Sequence, residues 1–302
     1  MIVSPNAEPN NDTILEINGL SKAYKNSDFR LNDVSFSIPG GAIMGFVGEN
    51  GAGKSTTIGC ILNTLIKDSG TIKIFGKEMT NDSVDIRDDI GVVYDTNPFP
   101  VYLSPAKIAV AMRHMYSKWD DALFADYLKR FKLPEKRNIK SYSRGMTMKL
   151  NIAVALAHHP RLLVLDEATS GLDPIVRDEI LDVFLDFVTD ESKSILLSSH
   201  ITSDLEKIAD YITFIHDGNI IFSESKDNLI YNYGVMRCKA AQFGLLTKSD
   251  FFAFRKHDYQ IDVLIKDRQA AGQKYKDVII DNVTIEEIML MLVKGEKADE
   301  NK

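Results

Sequence analysis

Gly48-Glu49-Asn50-Gly51-Ala52-Gly53-Lys54-Ser55 is the stretch on which the reading of this chain turns. Its spacing, G-x-x-x-x-G-K-[ST], has a mechanical meaning. The glycines let the backbone wrap tightly, so that its N–H groups converge on phosphate oxygens, the lysine reaches the outer phosphates, and the serine hydroxyl takes a place on Mg²⁺. The flanks agree with this. Ala42 to Val47 is a short apolar run suited to a buried strand, and Ser55 to Ile66 reads as a helix. The first turn of that helix would turn unpaired N–H groups and the positive end of its dipole toward an anion. Gly48, Asn50, Gly51, Gly53, Lys54, Ser55 and Thr56 are therefore the candidate phosphate-contacting positions, with Ser55 also a candidate metal ligand.

The chain has 302 residues, enough for one large α/β domain and a smaller appendage. A formal net charge of −7 speaks against a general nucleic-acid binder, whose affinity would come from accumulated Lys and Arg. The two cysteines, Cys60 and Cys238, lie far apart and offer neither a disulfide framework nor a metal pattern, which fits a reducing compartment. No segment approaches the ~18 uninterrupted apolar residues of a membrane helix, and Met1 to Asp12 lacks a secretory h-region. These features lead us to expect a cytosolic protein with a flexible N-terminus over residues 1–12.

Strands and helices alternate along the chain. Ile14 to Ile17, Leu31 to Ile38, Thr71 to Phe75 and Ile90 to Tyr94 read as strands. From Ser104 the spacing becomes helical, with one stripe through Ile108, Met112 and Met115 and a second through Leu123, Phe124, Tyr127, Leu128 and Phe131. Stripes of this kind are ordinarily core, and no ligand is assigned to them. Leu162-Leu163-Val164-Leu165 predicts a buried strand that ends in two carboxylates, Asp166 and Glu167. Because side chains alternate along a strand, the two cannot play the same part. Asp166 is placed to hold Mg²⁺ or its water, and Glu167 to polarise a water attacking the γ-phosphate.

A third stretch separates one class of phosphate-loop proteins from the rest. Tyr142-Ser143-Arg144-Gly145-Met146 precedes a helical run ending near His159, and Ser170-Gly171-Leu172-Asp173 follows the carboxylates. A strand Ser194 to Ser199 is then closed by His200. In this order the set resembles the ATP-binding cassette of ABC transporters over roughly residues 13–225. The resemblance implies an α/β phosphate-loop fold with a mixed central sheet, an antiparallel β portion, and a helical subdomain over about 97–158. It also implies that Ser143 and Gly145 belong to the signature motif and donate to the γ-phosphate of ATP held by a second cassette paired head to tail. Asp173 would communicate across that dimer, His200 would contact the γ-phosphate and the attacking water, and Tyr24 would stack on adenine. Glu167 would be the general base. The implied partners are a second nucleotide-binding subunit and an integral membrane permease, with no nucleic acid. The protein would then lie on the inner face of the membrane. A cassette acting on ribosomes or DNA without a permease is the alternative class, against which stand the single cassette, the acidic balance and the lack of a sustained heptad.

Two motifs depart from the family pattern. In the common L-S-G-G-Q signature Met146 replaces the glutamine and Arg144 replaces a glycine, where it would either add charge near the partner's phosphates or point outward. Asp95 stands where the family places a glutamine that meets Mg²⁺, so Asp95 joins Ser55 and Asp166 as a candidate metal ligand. With Met115-Tyr116-Ser117-Lys118-Trp119-Asp120, these features resemble ATPase subunits of ABC-2-type exporters, including bacitracin-resistance, acetoin-operon and phenol-soluble-modulin exporter cassettes. That implies export of peptides or antimicrobial compounds. Residues 226–302 read as a small α+β accessory domain, either a stabilising or dimerising appendage or a regulatory ligand site. Within it Phe251 to Leu264 and Val278 to Val283 suggest strands. Thr284-Ile285-Glu286-Glu287 forms a capping box opening a helix through Val293, and a charged tail from Gly295 is expected to fray.

Overall fold

A computed structural model of the chain describes residues 13–297, so the readings made for residues 1–12 and 298–302 lie outside the described residues. Contacts group the chain into two units that divide after Ser223.

In the first unit, β1 (Thr13–Ala23), β2 (Arg30–Pro39), β4 (Ser69–Ile74) and β5 (Lys77–Glu78) form an antiparallel sheet in the order β2-β1-β4-β5. The second sheet contains β3 (Ile43–Val47), β6 (Ile90–Tyr94), β7 (Leu162–Asp166), β8 (Ser194–Ser199), β9 (Tyr211–His216) and β10 (Asn219–Ser225), in the order β10-β9-β3-β8-β7-β6. Strands β6, β7, β8, β3 and β9 run parallel. Their residues are nearly all buried, as a parallel sheet covered on both faces requires. The two sheets share one apolar core, in which Phe36 of β2 stacks on Phe46 of β3 with ring centroids 5.3 Å apart.

Helix α1 (Lys54–Ile61) stops one turn short of the predicted Ile66. Asn63 takes a left-handed backbone with φ 55°, and the Gly59 carbonyl accepts from both Thr64 and Leu65 N–H, which closes the helix. Helix α2 (Val84–Asp88) precedes β6, and the insertion between β6 and β7 holds α3 (Pro105–Met115), α4 (Asp121–Arg130) and α5 (Arg144–Leu156). Most of the two predicted stripes are core: Ile108, Met112, Phe124, Leu128 and Phe131 are buried, whereas Met115 is 68 % exposed because α3 ends there. Helices α6 (Pro174–Phe187) and α7 (Thr202–Ile208) complete the crossovers from β7 to β8 and from β8 to β9.

The second unit holds α8 (Lys226–Asn232), β11 (Gly234–Cys238), α9 (Ala240–Phe243), β12 (Phe251–Lys256), β13 (Ile261–Ile265), α10 (Arg268–Lys274), β14 (Ile279–Asp281), α11 (Ile285–Lys294) and β15 (Glu296–Lys297). Its antiparallel sheet has the order β14-β11-β13-β12-β15 around a core of Met236, Phe251, Phe254, Val263 and Ile265. The capping box lies where predicted. Glu287 N–H donates to Thr284 Oγ1 at 3.1 Å, and Thr284 N–H donates to Glu287 Oε2 at 2.9 Å. The tail differs from expectation over its first residues, because Glu296 and Lys297 pair with Phe254 and Ala253 of β12 as an edge strand.

Candidate nucleotide-binding site

Strands β3, β8 and β7 are adjacent and parallel, so their C-terminal ends open on one edge of the sheet. The glycine-rich loop leaves β3, Glu167 follows β7 and His200 follows β8. This edge of an open α/β sheet is where ligands are commonly bound.

The loop closes on itself. Ala52 N–H donates to Glu49 O at 3.1 Å, and Gly53, at φ 118°, takes a backbone conformation that side chains rarely adopt. Gly53 caps α1 without a side-chain hydrogen bond, and no acid lies in the first turn. The positive end of α1 is thus left to whatever anion the loop encloses. Lys54 is buried at 6 % exposure, and its ammonium donates to Gly48 O at 2.8 Å and to Glu49 O at 3.2 Å. Ser55 is exposed beside it, and Thr57 Oγ1 donates to Gly53 O at 2.9 Å, pinning the turn.

Lys54 Nζ also lies 3.3 Å from Glu167 Oε1, a buried oxygen with no hydrogen bond of its own. The other oxygen, Oε2, is 2.6 Å from His200 Nδ1. Lys54, Glu167 and His200 therefore form one chain of charge and hydrogen bonding across three strand ends. Glu167 is outside the strand, with φ 56°. Its separation from Asp166 accordingly comes from a left-handed backbone turn, where strand alternation had been the expected cause. Asp166 accepts from Ser198 Oγ at 2.5 Å. Burial pushes the Tyr94 hydroxyl pKa up, and the nearby Asp166 charge adds to the effect. Ser198 was not singled out from the sequence. The signal available was a polar residue ending an apolar run, in a strand that turns out to be buried at every position.

The remaining candidates stand apart from this chain. Ser143 caps α5, its Oγ accepting from Met146 N–H at 3.2 Å, and Asp173 caps α6 by accepting from Val176 N–H at 3.1 Å. Gly145 faces α6 so closely that an added Cβ would meet Val176 Cγ1 at 3.1 Å. Tyr24 is 39 % exposed, and its hydroxyl lies 3.5 Å from Thr56 Oγ1. Arg144, half-exposed, donates from its guanidinium to Asp95 Oδ1 at 2.5 Å within the same chain, a contact not foreseen from the sequence. Among the described residues no three His, Cys, Asp or Glu side chains gather as a metal site, and no helix is long and apolar enough to cross a membrane.

Comparison with known proteins agrees with the geometry. A family profile described as ABC transporter matches residues 31–170. The lantibiotic transport ATP-binding protein SrtF of Streptococcus pyogenes is 35 % identical over 71 % of this chain and 92 % of its own. The bacitracin transport ATP-binding protein BcrA of Bacillus licheniformis is 32 % identical over 72 % of this chain and 71 % of its own. A solved ATP-binding subunit of an ABC transporter superposes with a TM-score of 0.66 at 27 % identity, covering 77 % of this chain and 94 % of that one. A second solved cassette, a dimer in a post-hydrolysis state with ADP and Pi, shares the fold with a TM-score of 0.63 at 20 % identity, over 70 % of this chain and 98 % of that one. The chain belongs to the ATP-binding proteins of ABC transporters and is an ATPase of that family.

Proposed function

We propose that this chain binds and hydrolyses MgATP as one of two paired cassettes and thereby drives a membrane permease that exports peptide or antimicrobial compounds. The linkage Lys54–Glu167–His200 carries the proposal. Lys54 and the backbone N–H groups at the start of α1 would bind the outer phosphates. Ser55 and Asp166 offer the hard oxygen ligands that suit Mg²⁺, which typically takes one or two carboxylates plus substrate phosphates. The bound ion would supply charge neutralisation between the phosphates.

Glu167 would accept a proton from the attacking water, and His200 would hold the other carboxylate oxygen so that the acceptor stays aimed. Ser143 and Gly145 would donate to the γ-phosphate of ATP held by the second cassette, Asp173 would lie at that junction, and Tyr24 would cover the adenine. Val101 and Tyr102, 51 % and 67 % exposed in the insertion, support a docking role for that segment against the permease. The peptide-antibiotic cargo rests on the relatives named for lantibiotic and bacitracin transport. Attachment through a permease would hold the chain at the cytoplasmic face of the membrane.

Glu167→Gln tests the reading. It retains size and removes the base, so turnover is expected to fall about 10²–10⁴-fold. Size-exclusion chromatography in MgATP should show a trapped dimer. Turnover near wild type from a monomer would overturn both the base assignment and the paired mechanism.

A further inference from the structure

Asp95 and Arg144 both depart from the family pattern, and they meet. The Arg144 Nη2 to Asp95 Oδ1 distance of 2.5 Å joins residues 49 positions apart in sequence. Asp95 directly follows β6, whose last residue Tyr94 is in register with Asp166 of β7. Arg144 is the first residue of α5, next to its cap Ser143. The same guanidinium covers a third segment. A Cβ placed on Gly171, in the loop after the two carboxylates, would sit 2.8 Å from Arg144 Cζ and Nη1. One side chain therefore spans the end of β6, the start of α5 and the loop after β7, and Gly171 leaves it the room to do so.

We infer that Asp95 and Arg144 act as a matched pair that positions the Ser143–Gly145 segment against the loop after β7, and that Asp95 serves as the anchor of Arg144 and not as a magnesium ligand. The chemistry favours this division. A carboxylate oxygen held by a planar guanidinium has a directional, charge-assisted partner, and a cation bound through that same Oδ1 would compete with the contact. Charge balance also explains why both departures occur in one chain. A cation at position 144 with a neutral residue at 95 would face Gly171 without a counter-ion, and an acid at 95 alone would add uncompensated charge beside Asp166. Arg144 is a positioning residue, and its effect on turnover rests on the ATPase mechanism proposed above.

The test uses the full chain as wild type, Asp95→Arg, Arg144→Asp and the double reversal, with Asp95→Asn and Arg144→Gln alongside. Thermal denaturation of each reversal in the metal-free, nucleotide-free chain reports the pair whether or not the catalytic reading is right. The expected result is non-additive: each single reversal lowers Tm and the double reversal recovers most of the loss. Steady-state turnover should follow the same pattern, with each single reversal lowering kcat about fivefold and the double reversal restoring it. Half-saturating Mg²⁺ should move less than about twofold in Asp95→Asn. Additive losses in Tm would overturn the pairing. A rise in half-saturating Mg²⁺ of about tenfold in Asp95→Asn but not in Arg144→Gln would make Asp95 a ligand and overturn the assignment. A Glu167→Gln variant that still hydrolyses ATP would strike the proposed function alone and leave the denaturation result standing.

Discussion

Two hairpins in the first unit make a matched pair for an experiment on Gly218. The β9–β10 turn is Asp217-Gly218, with φ 46° and 73°, and the β4–β5 turn is Phe75-Gly76, with φ 53° and 76°. Both follow the two-residue pattern in which positive φ suits the strand twist. Their surroundings differ. A Cβ on Gly76 meets nothing within 4 Å, whereas one on Gly218 would lie 1.8 Å from Arg30 O. Gly218 also donates its N–H to Ala52 O in the phosphate loop and accepts from Asn32 N–H, both at 2.9 Å. Gly76→Ala should therefore cost only the left-handed backbone penalty, about 1–2 kcal/mol. Gly218→Ala adds overpacking of about 1–3 kcal/mol and weakens two hydrogen bonds of about 0.5–1.5 kcal/mol each, for a total loss of about 3–8 kcal/mol. Urea denaturation of the two variants against wild type measures the difference directly. Nucleotide binding should also weaken in Gly218→Ala, because Ala52 loses its support. Equal stability losses in the two variants would refute the steric argument and the buttressing role of the hairpin.

Two further outcomes concern stability. His158 is buried at 1 % exposure, stacked on Tyr116 at 3.9 Å, with Nε2 donating to Ile90 O at 3.1 Å. Burial holds its pKa below the usual 6.5. The unfolded chain therefore binds more protons in the window below 6.5, and stability should fall as pH drops through it, by at most about 1.4 kcal/mol per pH unit for one proton. Tm against pH should slope less steeply in His158→Gln over that window, and identical slopes would count against the assignment. Thr284→Ala removes the capping box of α11 and should cost about 1 kcal/mol, with Thr284→Ser close to wild type. Hydrogen exchange of the first α11 amides checks it, and unchanged protection would contradict the cap's contribution.

Legibility in the sequence followed locality. The phosphate loop, β8 and the Thr284 capping box each carry their determinants within a few residues, and each lies where expected. The second unit was harder to read. Phe251 to Leu264 contains two paired strands, β12 and β13, and the turn between them, His257-Asp258-Tyr259-Gln260, has no Gly or Pro to announce it. Strand β11 was missed because Gly234–Cys238 is short, while its partners β13 and β14 come later in the chain. In the candidate site, the carboxylates and histidine were visible as types at strand ends. The left-handed turn at Glu167 and the meeting of Arg144 with Asp95 were not, since both depend on how distant strands are placed in the sheet.

The adjacency of β7 and β8 also governs which length changes the chain can absorb. Glu167 and His200 are 33 residues apart, yet their contact depends on Asp166 lying opposite Ser198 in the sheet. Extra residues in the outward end of α6 or in the turn before β8 lengthen a detour and leave the two side chains facing each other. A single residue lost within either strand shifts the alignment and turns its side chains to the opposite face. Insertions are thus best tolerated in the exposed turn over residues 189–192, whereas α6 before it buries Ile180, Leu181, Val183 and Phe184, and the alignment of the two strands is what must be inherited.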